Sequence, residues 1–136
     1  MLVLLVDDDA AYLEVLKFFL EREGAAECET TTSAREAIDL VAHKEYDAVV
    51  SDYLMPDMDG LELLKIIRLQ GKEVPFIMLT GRGREDVAIE ALNNGADFYV
   101  QKGGDPKTQY TDLANMLRKS VMQRRAERGV REGERF

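Results

Sequence analysis

Apolar positions along this chain follow two patterns that take turns. The first is the short, nearly unbroken run: "LVLLV" at Leu2–Val6, "YDAVVSD" ending on Asp52, "PFIMLT" ending on Thr80 and "DFYVQK" ending near Lys102. Runs of this length without polar alternation suit strands buried on both faces, the parallel-sheet type. A weaker run at 26–30 predicts one more strand, second in chain order. The other pattern is helical spacing. Tyr12, Leu13, Leu16, Phe19 and Leu20 predict a first helix that stops at Gly24. Ser33 to Glu36 reads "SARE", a capping-box pattern, with Ala34, Ala37, Ile38 and Val41 as the buried stripe behind it. Leu61, Leu64 and Ile67, with Ile66, line a third helix. Val87, Ala88, Ala91 and Leu92 mark a fourth, closed by Asn94-Gly95. Leu113, Met116, Leu117 and Val121 mark a fifth.

The order is therefore βαβαβαβαβα, which predicts an α/β fold with helices on both faces of a parallel sheet. The apolar stripe fades beyond Met122 in "QRRAERGVREGERF". This divides the chain into a folded unit at 1–122 and a basic helix extension or linker at 123–136. A length of 136 residues suits one domain with a sizeable core. No apolar run approaches the ~20 residues needed to cross a bilayer, and no secretory-signal pattern opens the chain. Membrane insertion is thus not expected. Cys28 is the only cysteine, which rules out an internal disulfide and fits a cytoplasmic location. Charge is uneven. Residues 1–117 hold 11 Lys and Arg against 23 Asp and Glu, a net −12; residues 118–136 hold 7 against 3, a net +4. An acidic body makes nucleic acid an unlikely main partner.

In an open α/β sheet, ligands bind outside the carboxyl ends of the strands. The residues at those ends carry the chemistry. Asp7 and Asp8 follow the first strand, Asp52 ends the third, Thr80 the fourth and Lys102 the fifth. If the strand order is 2-1-3-4-5, the first and third strands are neighbours, and three carboxylates would converge. Left alone they would raise one another's pKa. A hard divalent cation removes the conflict, and few carboxylates beside a phosphate is the pattern of Mg²⁺. Thr80 adds a hydroxyl and Lys102 a charge for an anion. Asp9 is expected to point to solvent or to cap the first helix. Asp57, Asp59 and Gly60 read as turn and helix-start residues. A calcium loop through "DMDG" fails, because its positions 1 and 12 would be Met55 and Ile66.

"VDDD", "SDYLMPDMDG", "LTG" and "GADFYVQK", in this order and at strand ends, resemble a response-regulator receiver domain of two-component signalling, CheY-like, over residues 1–122. The resemblance implies a flavodoxin-like three-layer (βα)5 sandwich with a five-stranded parallel sheet of order 2-1-3-4-5. It implies that Asp52 is the phosphoacceptor. Asp7 and Asp8 match the acidic pair that holds Mg²⁺, with Asp8 the direct ligand, together with Asp52 and the Leu54 backbone carbonyl. Thr80 would bond the phosphoryl oxygen, Lys102 would pair with it, and Tyr99 matches the switch aromatic. Gly81 would leave room for the phosphoryl group, and Leu54 and Arg82 would flank its approach. The implied partner is a sensor histidine kinase or phosphotransfer protein. A homodimer through the helix 4, strand 5 and helix 5 face is a further expectation. The resemblance implies no conventional enzyme: such a chain is expected to catalyse only its own phosphorylation and dephosphorylation. One departure stands out. Many family members carry a proline after the lysine, joined by a cis bond. Here Gly103 and Gly104 follow Lys102, and a cis Lys–Gly bond would cost ~2.5–4 kcal/mol, so a trans loop is expected.

Two other functions fit parts of the pattern. A receiver-like module that binds partners without phosphorylation would not need Asp52, Thr80 and Lys102 together. A phosphatase of the haloacid-dehalogenase type would use Asp7 as nucleophile and Asp9 as acid/base. It lacks the Gly-Thr that should follow Asp9 and the length for a cap domain. A stand-alone receiver and the first module of a longer chain both remain open. Lys-Gly-Gly-Asp-Pro loops like this one resemble those of members that precede sensor or kinase modules.

Overall fold

The computed structural model describes the backbone of residues 1–133 except Arg82 and Gly104, with side chains as far as Glu127. Five strands alternate with five helices: β1 Leu2–Val6, α1 Ala10–Arg22, β2 Glu27–Thr31, α2 Ala34–His43, β3 Ala48–Asp52, α3 Gly60–Leu69, β4 Phe76–Thr80, α4 Glu85–Asn93, β5 Phe98–Gln101 and α5 Pro106–Gly133. All pairings are parallel and the sheet order is β2-β1-β3-β4-β5. This is the flavodoxin-like arrangement expected from the sequence.

Continuous apolar strands make sense because each side of the sheet has its own core. Val3 and Leu5 of β1, Ala48 and Val50 of β3, and Ile77 and Leu79 of β4 face Leu13, Leu16 and Leu20 of α1 and Leu113, Leu117 and Val121 of α5. The alternate residues Leu4, Val6, Val49, Phe76 and Met78 face Ala34, Ala37 and Val41 of α2, Leu61, Leu63, Leu64 and Ile67 of α3, and Ala91 of α4. A strand sandwiched this way loses its period-2 polarity, since both of its faces leave water.

Local signals set the helix ends. Asp9 caps α1 by accepting from Tyr12 N, Ser33 caps α2 by accepting from Glu36 N, and Asp59 caps α3 by accepting from Glu62 N. The capping box at Ser33 is only half formed, because Ser33 N donates to Thr31 Oγ1 instead. Three details depart from the periodicity. Leu63, four residues before Ile67, is fully buried and widens the α3 stripe of Leu61, Leu64 and Ile67, since that helix packs against both α2 and α4. Leu92 is exposed rather than part of the α4 stripe, and β2 begins one residue later than expected. α5 continues well beyond Met122, where Arg124 pairs with Asp97 and Arg125 with Asp47.

Candidate functional site

Because every strand is parallel, the ends of β1, β3, β4 and β5 share one edge of the sheet. Asp7 follows β1 at once and keeps its strand register through a bond from its N–H to Thr31 O at 3.2 Å. It is 1% exposed, Asp52 is 9% exposed and Thr80 2%. Asp8 is exposed, at the mouth of the site. Oxygens of Asp7, Asp8 and Asp52 lie within 4.8 Å of one another. The switch between β1 and β3 thus brings together carboxylates 45 residues apart in the chain.

Lys102 reaches this cluster from β5. Its Nζ lies 2.7 Å from Asp7 Oδ2 and 3.3 Å from Asp52 Oδ1. One lysine against three carboxylates leaves negative charge in surplus. Burial pushes the Asp52 carboxyl above its usual range; Lys102 opposes the shift and Asp7 adds to it. Burial pulls Lys102 down, but its bond to Asp7 and the charges of Asp52 and Asp7 outweigh that, and the ammonium is held more firmly charged than usual. The donor set is therefore one that fits a hard divalent cation. Leu54, whose carbonyl completes the expected set, is 66% exposed in the loop beyond β3.

The remaining candidates fall as follows. A Cβ on Gly81 would meet nothing within 4 Å, so the space beside Thr80 is open. Tyr99 is 42% exposed and pairs in register with Met78, two positions before Thr80 on the neighbouring strand. Asp9 spends its carboxylate on the α1 cap, which leaves it unsuited to acid/base work. Arg82 and Gly104 lie outside the described residues. No cis peptide bond occurs among the described residues, and Gly103 has φ 110. Cys28 is a buried strand residue whose thiol burial pushes up to about 12, with the Glu21 charge adding to the rise, so it is inert at neutral pH.

One residue of the site does not stand out in the sequence as part of it. Tyr12, in the first turn of α1, turns its ring toward Lys102, with Nζ 4.4 Å from the ring centroid. Its apolar spacing places it correctly against the core. The signal that could have found it is its position three residues after a cap at the carboxyl edge. A separate cavity of about 410 Å³ opens among Lys44, Asp47, Lys72, Val74, Arg124 and Arg125, and holds none of the site residues.

Comparison with known proteins bears on the fold and the family. A family model described as the response regulator receiver domain matches residues 3–114. The response regulator SaeR of Staphylococcus aureus is 36% identical over 115 residues, covering 85% of this chain and 50% of SaeR. This chain thus spans about half the length of that curated relative. A receiver domain from Francisella superposes with a TM-score of 0.81 at 30% identity, covering 90% of this chain and 97% of that one. A CheY-like receiver domain protein from Methanospirillum hungatei gives 0.76 at 31% identity, covering 90% and 97%. Fold and matched span agree: the chain belongs to the receiver domain family of two-component response regulators.

Proposed function

We propose that this receiver domain is a phosphoacceptor switch that takes a phosphoryl group from a phosphohistidine of a sensor histidine kinase or phosphotransfer protein onto Asp52. The observation that carries the reading is the position of Asp52, between the Lys102 ammonium and two further carboxylates, with Thr80 at the adjacent strand end. The P–N bond of the donor breaks as a P–O bond to an Asp52 oxygen forms, through a loose transition state that asks mainly for positioning and charge stabilisation. Asp7, Asp8, Asp52 and the Leu54 carbonyl would hold Mg²⁺, which supplies charge neutralisation at the transferring oxygens. Lys102 turns from Asp52 to a phosphoryl oxygen, and the Thr80 hydroxyl donates to another. Open space at Gly81 admits the group, and exposed Leu54 flanks its path. Residues 1–122 would form the switching body, and 123–136 its basic extension or linker, helical as far as Gly133.

Metal affinity should be modest, because Mg²⁺ keeps several waters and gains few protein ligands. Asp8→Ala is expected to weaken Mg²⁺ binding at least about tenfold, since it deletes one of three charged ligands. Calorimetric or NMR titration of both proteins reads this out, and equal binding would remove Asp8 from the metal site.

The phosphoryl group adds acceptor oxygens and negative charge at Asp52. Thr80 moves toward them and vacates space that the ring of Tyr99, a 42% exposed residue, can fill. Such a local change acts by biasing two pre-existing states, and ~1–3 kcal/mol of coupling gives a useful switch. The face that responds is α4, β5 and α5, where Ile89, Leu92 and Tyr99 are exposed, and a partner protein or a second copy of the chain would dock there. Hydrogen exchange with and without beryllofluoride should show altered protection across residues 84–117. Changes confined to the surroundings of Asp52 would reject the switch while leaving phosphorylation intact.

A further inference from the structure

Lys102 enters the site with little support from its own backbone. Its N–H bonds to Thr80 O at 2.7 Å, and the next residue, Gly103, turns away at φ 110 toward α5. A lysine side chain is among the most rotamer-rich, so something must hold the ammonium forward. Three neighbours do so: Asp7 at 2.7 Å, Asp52 at 3.3 Å and the face of Tyr12, 4.4 Å to its centroid. The first two are the groups whose charge the proposed reaction alters or shares. The ring is the one of the three that stays the same throughout.

We infer that Tyr12 is a positioning residue for Lys102, its ring face holding the ammonium over the acidic pair while the charge on Asp52 changes. The inference rests on the phosphoacceptor reading. A cation within about 6 Å of an aromatic centroid is attracted to the ring face, more strongly where water is partly excluded. The backbone that carries the ring is itself fixed, and the ring packs against the core. Tyr12 N donates to Asp9 Oδ1 at 3.1 Å, and Asp9 N donates to Asp7 Oδ1 at 2.9 Å. Asp7, Asp9, Tyr12 and Lys102 therefore form a closed circuit, and the turn that orients the Asp7 carboxylate also orients the ring. Asp9, next to the acidic pair, acquires a task through this circuit. The Tyr12 hydroxyl plays no visible part: it is the buried side-chain polar atom that lacks a hydrogen-bond partner among the described residues. Whatever Tyr12 does for Lys102, it does through its ring.

The test uses the whole chain with phenylalanine, progressively fluorinated phenylalanines, or leucine at this position. The readout is the rate of Asp52 phosphorylation by phosphoramidate with Mg²⁺. Fluorine drains the ring face of negative potential while nearly preserving its shape, so a merely structural role would not respond. Tyr12→Phe keeps the ring and is the reference from which the fluorinated series is read. The fluorinated series should slow stepwise, and Tyr12→Leu should be about 3- to 30-fold slower. In NMR spectra, the Lys102 ε-methylene protons should show an upfield ring-current shift in the parent and Tyr12→Phe. A flat fluorine series in a chain that takes label overturns the Tyr12 role alone, as does an unshifted ε-methylene in the parent. A parent that takes no label overturns the phosphoacceptor reading, and this role with it. If Tyr12→Leu fails to fold, the fluorinated series decides.

Discussion

Asp52→Asn will form no stable acyl phosphate with a small phosphodonor and Mg²⁺, whereas Asp9→Asn will remain competent. The amide keeps the shape of the side chain but is no nucleophile. Asp9 is the α1 cap, a task that asparagine performs equally well. Intact-protein mass spectrometry after phosphoramidate treatment measures both. Full-stoichiometry label on the Asp52 variant would mean that another carboxylate is the acceptor. The same substitution should also change stability. Burial raises the Asp52 pKa in the folded protein, so the folded chain holds this proton more tightly than the unfolded chain. That contribution is fully present below the unfolded pKa and is lost as pH rises through the raised value. At neutral pH without metal, the ionised Asp52 is therefore a liability. Asp52→Asn should melt higher than the parent there, with the gap narrowing in acid. Thermal melts across pH decide this, and an unchanged gap would reject it.

Gly60→Ala should lower stability by about 3 kcal/mol, near the upper end for overpacking. α3 starts hard against the end of β3: a Cβ on Gly60 would sit 2.3 Å from Asp52 O and 2.9 Å from Met78 Sδ. The methionine can give way, but the carbonyl belongs to the backbone of Asp52 itself. Relief requires α3 to lift or Asp52 to shift, so phosphorylation should fall along with stability. Urea denaturation and labelling measure the two effects. Gly81→Ala is the contrast for folding, because its Cβ meets nothing within 4 Å. Equal unfolding midpoints for the two variants would show that the β3–α3 contact tolerates a methyl group after all.

Both predictions depend on features that are legible in the sequence to different degrees. Asp52, Thr80 and Lys102 stand out along the chain because each closes an apolar run, and in a parallel sheet every such run ends at the same edge. Asp59 and Gly60 are recognisable as a helix start from local turn chemistry. The need for glycine at 60 is not, since it arises from the approach of α3 to Asp52 and Met78, and the latter is 18 positions away. Leu63 and Leu92 show the same limit. Periodicity finds a stripe, but its width depends on how many layers press on the helix, and that is a tertiary fact. Tyr12 is visible as a core residue and invisible as a neighbour of Lys102, 90 positions further along.

What this sequence determined by itself was the alternation of elements, most of their boundaries, and the set of polar side chains delivered to the sheet's carboxyl edge. Those follow from interactions within a few residues: apolar period, caps and turns. Tertiary structure alone decided the separations within the site and its exposure: carboxylate oxygens within 4.8 Å, an ammonium 2.7 Å from Asp7, an aromatic face beside it and an exposed Tyr99. The physical reason is that electrostatic and packing energies change over ångströms, whereas sequence patterns locate a side chain only to an element and a face.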